Sequence, residues 1–152
     1  VTKLEVVEAG VAHPLEEFGR YEVSWDNVLG KPDVVDNPLD VPNGDLIFVA
    51  QQPKTRIFGV RLSMFCGSEA ALNESLRQLA SLMWSPGAPT LWRRTIPYDA
   101  GDEVSEAYGM YLGGLNPGGN PDLPPGTALL PLQIRMLSAY WHDTTTSAAV
   151  AL

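Results

Sequence analysis

The longest period-two run in the chain lies near its C-terminus. Over positions 127–138, Ala128, Leu130, Leu132, Ile134 and Met136 alternate with Leu129, Pro131, Gln133, Arg135 and Leu137. A strand sends successive side chains to opposite faces, so this run buries one side only if it is extended. Gln133 and Arg135 mark its polar side. A second run, 56–65, puts Phe58, Val60, Leu62 and Met64 on one face and Gly59, Arg61 and Ser63 on the other. Two strands of this kind demand a sheet with a buried face.

The rest of the chain fits that demand. Strands are predicted at 2–7, at 20–28 with Tyr21, Val23 and Trp25 on one side, and at 45–50, where Leu46-Ile47-Phe48-Val49-Ala50 is continuously apolar. Two more follow at 90–96 and 105–112. Residues 8–19 read as a polar connection. The stretch 29–44, with prolines at 32, 38 and 42, reads as a surface loop, because proline cannot donate to a ladder. Residues 51–55 read as a turn joining 45–50 and 56–65 into a hairpin. Gly113–Gly126 reads as another long loop.

A single helix is predicted, over 69–84. Ser68 is its N-cap, Glu69 complements the positive end of its dipole, and Ser85-Pro86-Gly87 ends it. Leu72, Leu76, Leu79 and Met83 recur at spacings of four, three and four, giving one apolar stripe. A one-sided stripe lies on a sheet. The fold class is therefore mainly β with one α-helix: an antiparallel β-sandwich or partly closed barrel flanked by the helix.

With 152 residues the chain suits one domain, read as 1–143, with 144–152 (Thr-Thr-Thr-Ser-Ala-Ala-Val-Ala-Leu) as a linker or tail. The net charge of −8, with acids crowded into the first 45 residues, opposes gripping nucleic acid or anionic lipid. The N-terminus carries acids where a signal peptide has its apolar stretch, and no apolar run is long enough to span a membrane.

Reactive side chains are few. Cys66 is alone, so no intrachain disulfide forms. Cys66, His13 and His142 lack the close spacing of a zinc site. His142-Asp143 supplies two members of a triad, but no G-x-S-x-G accompanies them. Asp99, Asp102, Glu103 and Glu106 cluster where a turn is expected and lack the calcium-loop pattern. Gly113-Gly114 and Gly118-Gly119 do not form a phosphate-binding loop. Arg93-Arg94 beside Trp92 is a small basic-aromatic spot, suited to an interface salt bridge. No catalytic, cofactor-binding or metal-binding residue is assigned, no cofactor is expected, and the chain is not expected to be an enzyme.

From about residue 45 onward the order of features resembles that of phage distal tail proteins. A hairpin ends in the outward Arg61, and Gly67-Ser68 opens a Leu-x-x-x-Leu-x-x-Leu helix. A Pro-Gly turn then leads to a strand that begins with Leu91-Trp92. The last strand, Leu132-Gln133-Ile134-Arg135-Met136-Leu137, runs into Ser138-Ala139-Tyr140-Trp141, where the family has an Asp-Pro-Tyr-Trp-like corner. Tyr140 and Trp141 match; Ser138 and Ala139 depart. The resemblance implies a structural virion component with a tail-tube-like domain. It implies a ring, six-fold in the family, that joins the tail tube protein to baseplate or tip hub proteins. DNA would meet it only in passing. Assembly in the host cytoplasm, no membrane contact, and a further, often galectin-like domain are also implied. Two other readings stay open: a small β-sandwich carbohydrate- or surface-binding module using Trp92 or Trp141, and an enzyme with a scattered site.

Overall fold

A computed structural model of the chain describes residues 2–24, 34–40, 46–53, 55–83, 88–115, 123–138 and 140–144. The architecture is mainly antiparallel β with one helix. The strands are β1 (Lys3–Glu8), β2 (Val11–Pro14), β3 (Arg20–Val23), β4 (Val34–Asp40), β5 (Leu46–Pro53), β6 (Ile57–Phe65), β7 (Thr90–Tyr98), β8 (Gly101–Gly113), β9 (Thr127–Met136) and β10 (His142–Asp143). The helix α1 covers Glu69–Met83. It is too short to cross a membrane.

The main sheet runs in the order β2-β1-β7-β8-β9-β6-β3, with β10 paired to β8 beside that path. Its centre is the β6–β9 ladder, where the two long alternating runs meet in register. Phe58 lies opposite Ile134, Val60 opposite Leu132, Leu62 opposite Leu130 and Met64 opposite Ala128. All eight side chains are buried. Each such apolar pair contributes roughly 0.2–1 kcal/mol beyond an alanine pair. Strand β8, thirteen residues long, changes neighbour along one edge. Ser105 and Glu106 pair with β10, and residues from Gly109 onward pair with β9.

The sheet does not close, yet its ends approach each other. Strand β2 begins the order and β3 finishes it, but only residues 15–19, including a 3-10 turn at Leu15–Glu17, separate them in sequence. Leu4 lies beyond the end of the β1–β2 ladder, which starts at Glu5. Its backbone N–H instead donates to the Tyr21 hydroxyl on β3, at 3.1 Å. The sheet therefore curls around one core, to which Leu4, Val6, Leu15, Phe58, Trp92 and the inward residues of β9 contribute. Leu72, Leu79 and Met83 of α1 complete that core. The Ser68 hydroxyl accepts the Ala71 N–H at 3.2 Å, as expected of an N-cap. Leu76 is only partly buried, at the margin of the stripe.

Trp92 is the largest side chain of the core and is 1% exposed. It meets Phe58 edge to face, with ring centroids 5.5 Å apart. Its seat depends on Gly109 across the β7–β8 ladder. A Cβ there would lie 2.5 Å from Ile134 Cγ2 and 3.1 Å from Trp92 Cδ1.

Several sequence expectations are corrected. Strands 45–50 and 56–65 do not form a hairpin: β6 has β9 on one side and β3 on the other, so both edges are filled. Strand β5 pairs instead with β4, in a separate two-stranded ribbon. The 29–44 loop therefore contains a strand, Val34–Asp40. Proline is tolerated there because β4 has one neighbour only among the described residues and Pro38 follows a register shift in the ladder. The expected turn at 51–55 is instead largely strand, since Gln51, Gln52 and Pro53 lie opposite Asp36, Val35 and Val34. Residues 8–19 hold β2 and the fully buried Leu15 rather than a polar connection. Strand 20–28 is observed over Arg20–Val23; Trp25 and its neighbours lie outside the described residues. The closing strand ends at Met136, two residues earlier than its periodicity suggested.

Candidate functional site

Several of the side chains that raised chemical possibilities in the sequence make contacts within the fold. Arg93 and Glu106 face each other across β7 and β8, and the Glu106 carboxylate accepts from Arg93 Nε at 3.0 Å and Nη2 at 2.7 Å. Arg94 donates through Nε to the Ser105 hydroxyl at 2.7 Å and lies 3.8 Å from Glu103. These pairs lie within the sheet, so the basic-aromatic spot is committed internally rather than to an interface salt bridge. Asp99 is in the β7–β8 turn, whereas Asp102, Glu103 and Glu106 are on β8 itself. The Cys66 thiol donates to the Ser75 hydroxyl at 3.8 Å. His13 is on β2 and His142 is on β10, opposite Glu106. No group of three or more His, Cys, Asp or Glu side chains suited to a metal occurs among the described residues. Gly118 and Gly119 lie outside them.

The Tyr-Trp corner folds back onto the core. After Met136 the chain bends, and Trp141 returns to pack on Phe58, with ring centroids 6.2 Å apart. The Arg94 guanidinium lies over the Trp141 ring at 5.0 Å from its centroid. Burial lowers the Arg94 pKa; Glu103 opposes that shift, and nearby Arg56 and Tyr98 act in opposite directions. The corner then delivers β10 to β8, and the Thr144 hydroxyl donates to the Val104 carbonyl at 3.3 Å. Trp92 is buried, and Trp141 is partly buried against Phe58 and Arg94.

An open groove lies on the side of the sheet turned away from the core. On the faces of β3, β6 and β9 turned away from the core, Arg20 lies opposite Ser63 and Glu22 opposite Arg61. Ser63 and Arg61 in turn lie opposite Leu129 and Pro131. Phe65 is 66% exposed and Leu129 is 51% exposed. With Tyr21, these residues line an open groove of about 900 Å³. Neither Arg20 nor Arg61 forms an ion pair among the described residues. The sequence held a signal for this surface that its alternation concealed. Phe65 and Leu129 are large apolar residues on the faces that Arg61, Gln133 and Arg135 mark as polar, and such breaks in pattern mark contact surfaces.

A curled antiparallel sheet with one helix packed into its core is a fold shared with chains of solved phage baseplate and Dit structures. The particular likenesses are to a chain of the phage p2 baseplate in its activated conformation, solved with strontium and with calcium, and to the SPP1 Dit (gp 19.1) protein. The p2 chains match with a TM-score of 0.71 at 10% identity over 93% of this chain and 45% of theirs. The Dit protein, described as a paradigm of the hub adsorption apparatus in phages infecting Gram-positive hosts, matches with a TM-score of 0.65 at 13% identity. That match covers 94% of this chain and 52% of the Dit protein. The chain thus spans about half the length of the solved structures it matches. No protein-family model matches the sequence, and no curated protein matches it. The resemblance to distal tail proteins read from residues 45–141 holds at the level of the fold.

Proposed function

We propose that this chain is the tail-tube-like domain of a distal tail protein of a long-tailed phage. The observation that carries the reading is the fold match over 93–94% of the chain to baseplate and Dit proteins. In this reading, copies of the chain assemble into a ring, six-fold as in the family the sequence resembles. The ring joins the tail tube protein to baseplate or tip hub proteins. In this reading residues 1–143 are the ring-building unit and 144–152 a linker or tail. The role is structural rather than catalytic. The protein is assembled in the host cytoplasm and resides in the virion tail.

DNA passes through such a ring without being held. Duplex DNA carries one negative charge per roughly 1.7 Å of axis, and a basic lining would grip it at low salt. A chain of net charge −8 whose Arg93 and Arg94 are already engaged with Glu106, Glu103 and Ser105 suits a passive conduit. Mass photometry of the purified chain and imaging of the virion test the ring. A chain that stays monomeric at high concentration and is missing from tails would refute it. Filter binding at low salt tests the conduit, with weak retention of duplex DNA expected and tight, salt-sensitive retention counting against it. The carbohydrate-binding reading gains nothing from Trp92 or Trp141, given where they lie.

A further inference from the structure

We propose that the face of β3, β6 and β9 turned away from the core is a docking track for an extended acidic segment of a different polypeptide. Its carboxylates meet Arg20, Arg61 and Arg135, and an aliphatic side chain sits over Gly59. The inference stands on this face alone and does not require the ring. The strand registers set the outward side chains in rows. Arg20, Ser63 and Leu129 form one row, and Glu22, Arg61 and Pro131 form the next. Gly59 with Gln133 and then Ile57 with Arg135 complete the face. Each arginine is therefore on a different strand, and the three step diagonally across the sheet. With strands about 4.8 Å apart and alternate residues about 6.8 Å apart, the backbone positions of Arg20 and Arg61 are separated by roughly 8 Å, and those of Arg61 and Arg135 by roughly 14 Å.

Charge complementarity selects the occupant. The whole chain has 18 acidic and 10 basic residues, yet at the outward positions of these three strands three arginines face Glu22 as the one acid. None of the three forms an ion pair among the described residues, whereas Arg93 and Arg94 do. A guanidinium presents a planar fork of donors that matches a carboxylate. Shape selects an extended segment. Gly59 leaves a dip between Arg61 and Arg135, and a trough of about 420 Å³ over it, bordered by Arg61 and Pro131, continues the larger groove. A Cβ at position 59 would have no neighbour closer than the Leu132 carbonyl oxygen at 3.8 Å, so the dip has room for a side chain from outside. Phe65 and Leu129, both exposed, form an apolar margin at the Arg20 end. An extended chain repeats the side chains of one face about every 6.8 Å. Carboxylates at i, i+2 and i+6 thus match the arginines, and an aliphatic residue at i+4 falls on Gly59. A nucleic-acid strand fits less well, because a net charge of −8 repels a long polyanion and Leu129, Pro131 and Gly59 give no platform for stacked bases.

Fluorescence anisotropy with the full chain at low salt tests the track. The probe is a fluorescein-labelled peptide with aspartate at i, i+2 and i+6, leucine at i+4 and glycine between. Saturable binding that weakens with added salt is expected. A peptide of the same composition with its three aspartates adjacent should bind several-fold more weakly. Arg20→Ala combined with Arg61→Ala should weaken binding roughly five- to tenfold and leave the melting temperature unchanged, because both side chains are exposed. Gly59→Val fills the dip without altering charge and should weaken binding several-fold. Absence of saturable binding, equal binding of the two peptides, or binding that survives both variants overturns the track. Tighter binding of a single-stranded oligonucleotide of equal length assigns the face to nucleic acid and overturns it too. Loss of peptide binding as the chain concentration rises shows that a second copy covers the face, with the same consequence. These outcomes are separate from the ring, which mass photometry reads independently.

Discussion

The rotational setting of α1 can be tested by comparing Leu79→Ala with Leu76→Ala. At about 100° per residue, Leu72, Leu79 and Met83 fall within an arc of about 40°, and Leu76 lies about 40° to one side of its centre. The structure follows that geometry: Leu79 is fully buried, whereas Leu76 is partly buried against the core. Truncating a fully buried leucine removes its transfer free energy and leaves a cavity, so Leu79→Ala should cost about 3–4 kcal/mol. Leu76 already meets water and its site can refill, so Leu76→Ala should cost about 1–2 kcal/mol. For a domain of this size 1 kcal/mol shifts the melting temperature by roughly 2–4 °C, so Leu79→Ala should lower it by roughly 6–16 °C. Urea melts of the two variants should show different midpoints and the same slope as the parent. A loss from Leu76→Ala equal to or larger than that from Leu79→Ala would mean that the helix presents a different face, and the packing described for α1 would be wrong.

Three further outcomes follow from the same packing. Tyr21→Phe removes the acceptor for the Leu4 N–H and should cost about 1–3 kcal/mol, read from denaturant melts. Burial, opposed by the Leu4 hydrogen bond, raises the Tyr21 pKa above its ordinary 10.0. The folded state therefore favours the protonated phenol, and stability present below pH 10 should fall as pH rises through the raised value, a dependence weakened in Tyr21→Phe. Gly109→Ala should cost about 1–3 kcal/mol by forcing a methyl against Ile134 and Trp92, and the double variant with Ile134→Ala should lose less than the two single losses combined. A double-mutant cycle on Arg93 and Glu106 should give a coupling of about 1 kcal/mol that weakens with added salt, since both side chains keep some contact with water.

The candidate surface was less legible than the fold. The sequence drew attention to rare residue types, and His142, Cys66, Trp92 and Arg93-Arg94 proved to be packing, ladder or ion-pair elements. What distinguishes the groove is ordinary residues in an unusual place. Phe65 and Leu129 look like core residues until their faces are known, and Arg20 meets Ser63 only through a pairing across more than forty positions. The resemblance to distal tail proteins was legible because it rests on the order of features along the chain, which survives at identities near 10%.

What the sequence determined by itself was local. Alternation over 56–65 and 127–138 dictates strands with a defined inward face, and the Ser68 cap with its leucine stripe dictates α1, because side-chain direction follows backbone period. Tertiary structure decided which strands meet. Strand β6 pairs with β9 and β3 rather than with β5, because only in-register partners bury all four of its inward residues, and periodicity carries no label for a partner. Strand β4 exists because β5 supplies a ladder whose register shifts between Asp36 and Pro38, which accommodates a proline that local propensity disfavours. The curl that brings Tyr21 to Leu4, and the return of Trp141 to Phe58, likewise depend on contacts between residues far apart in the chain.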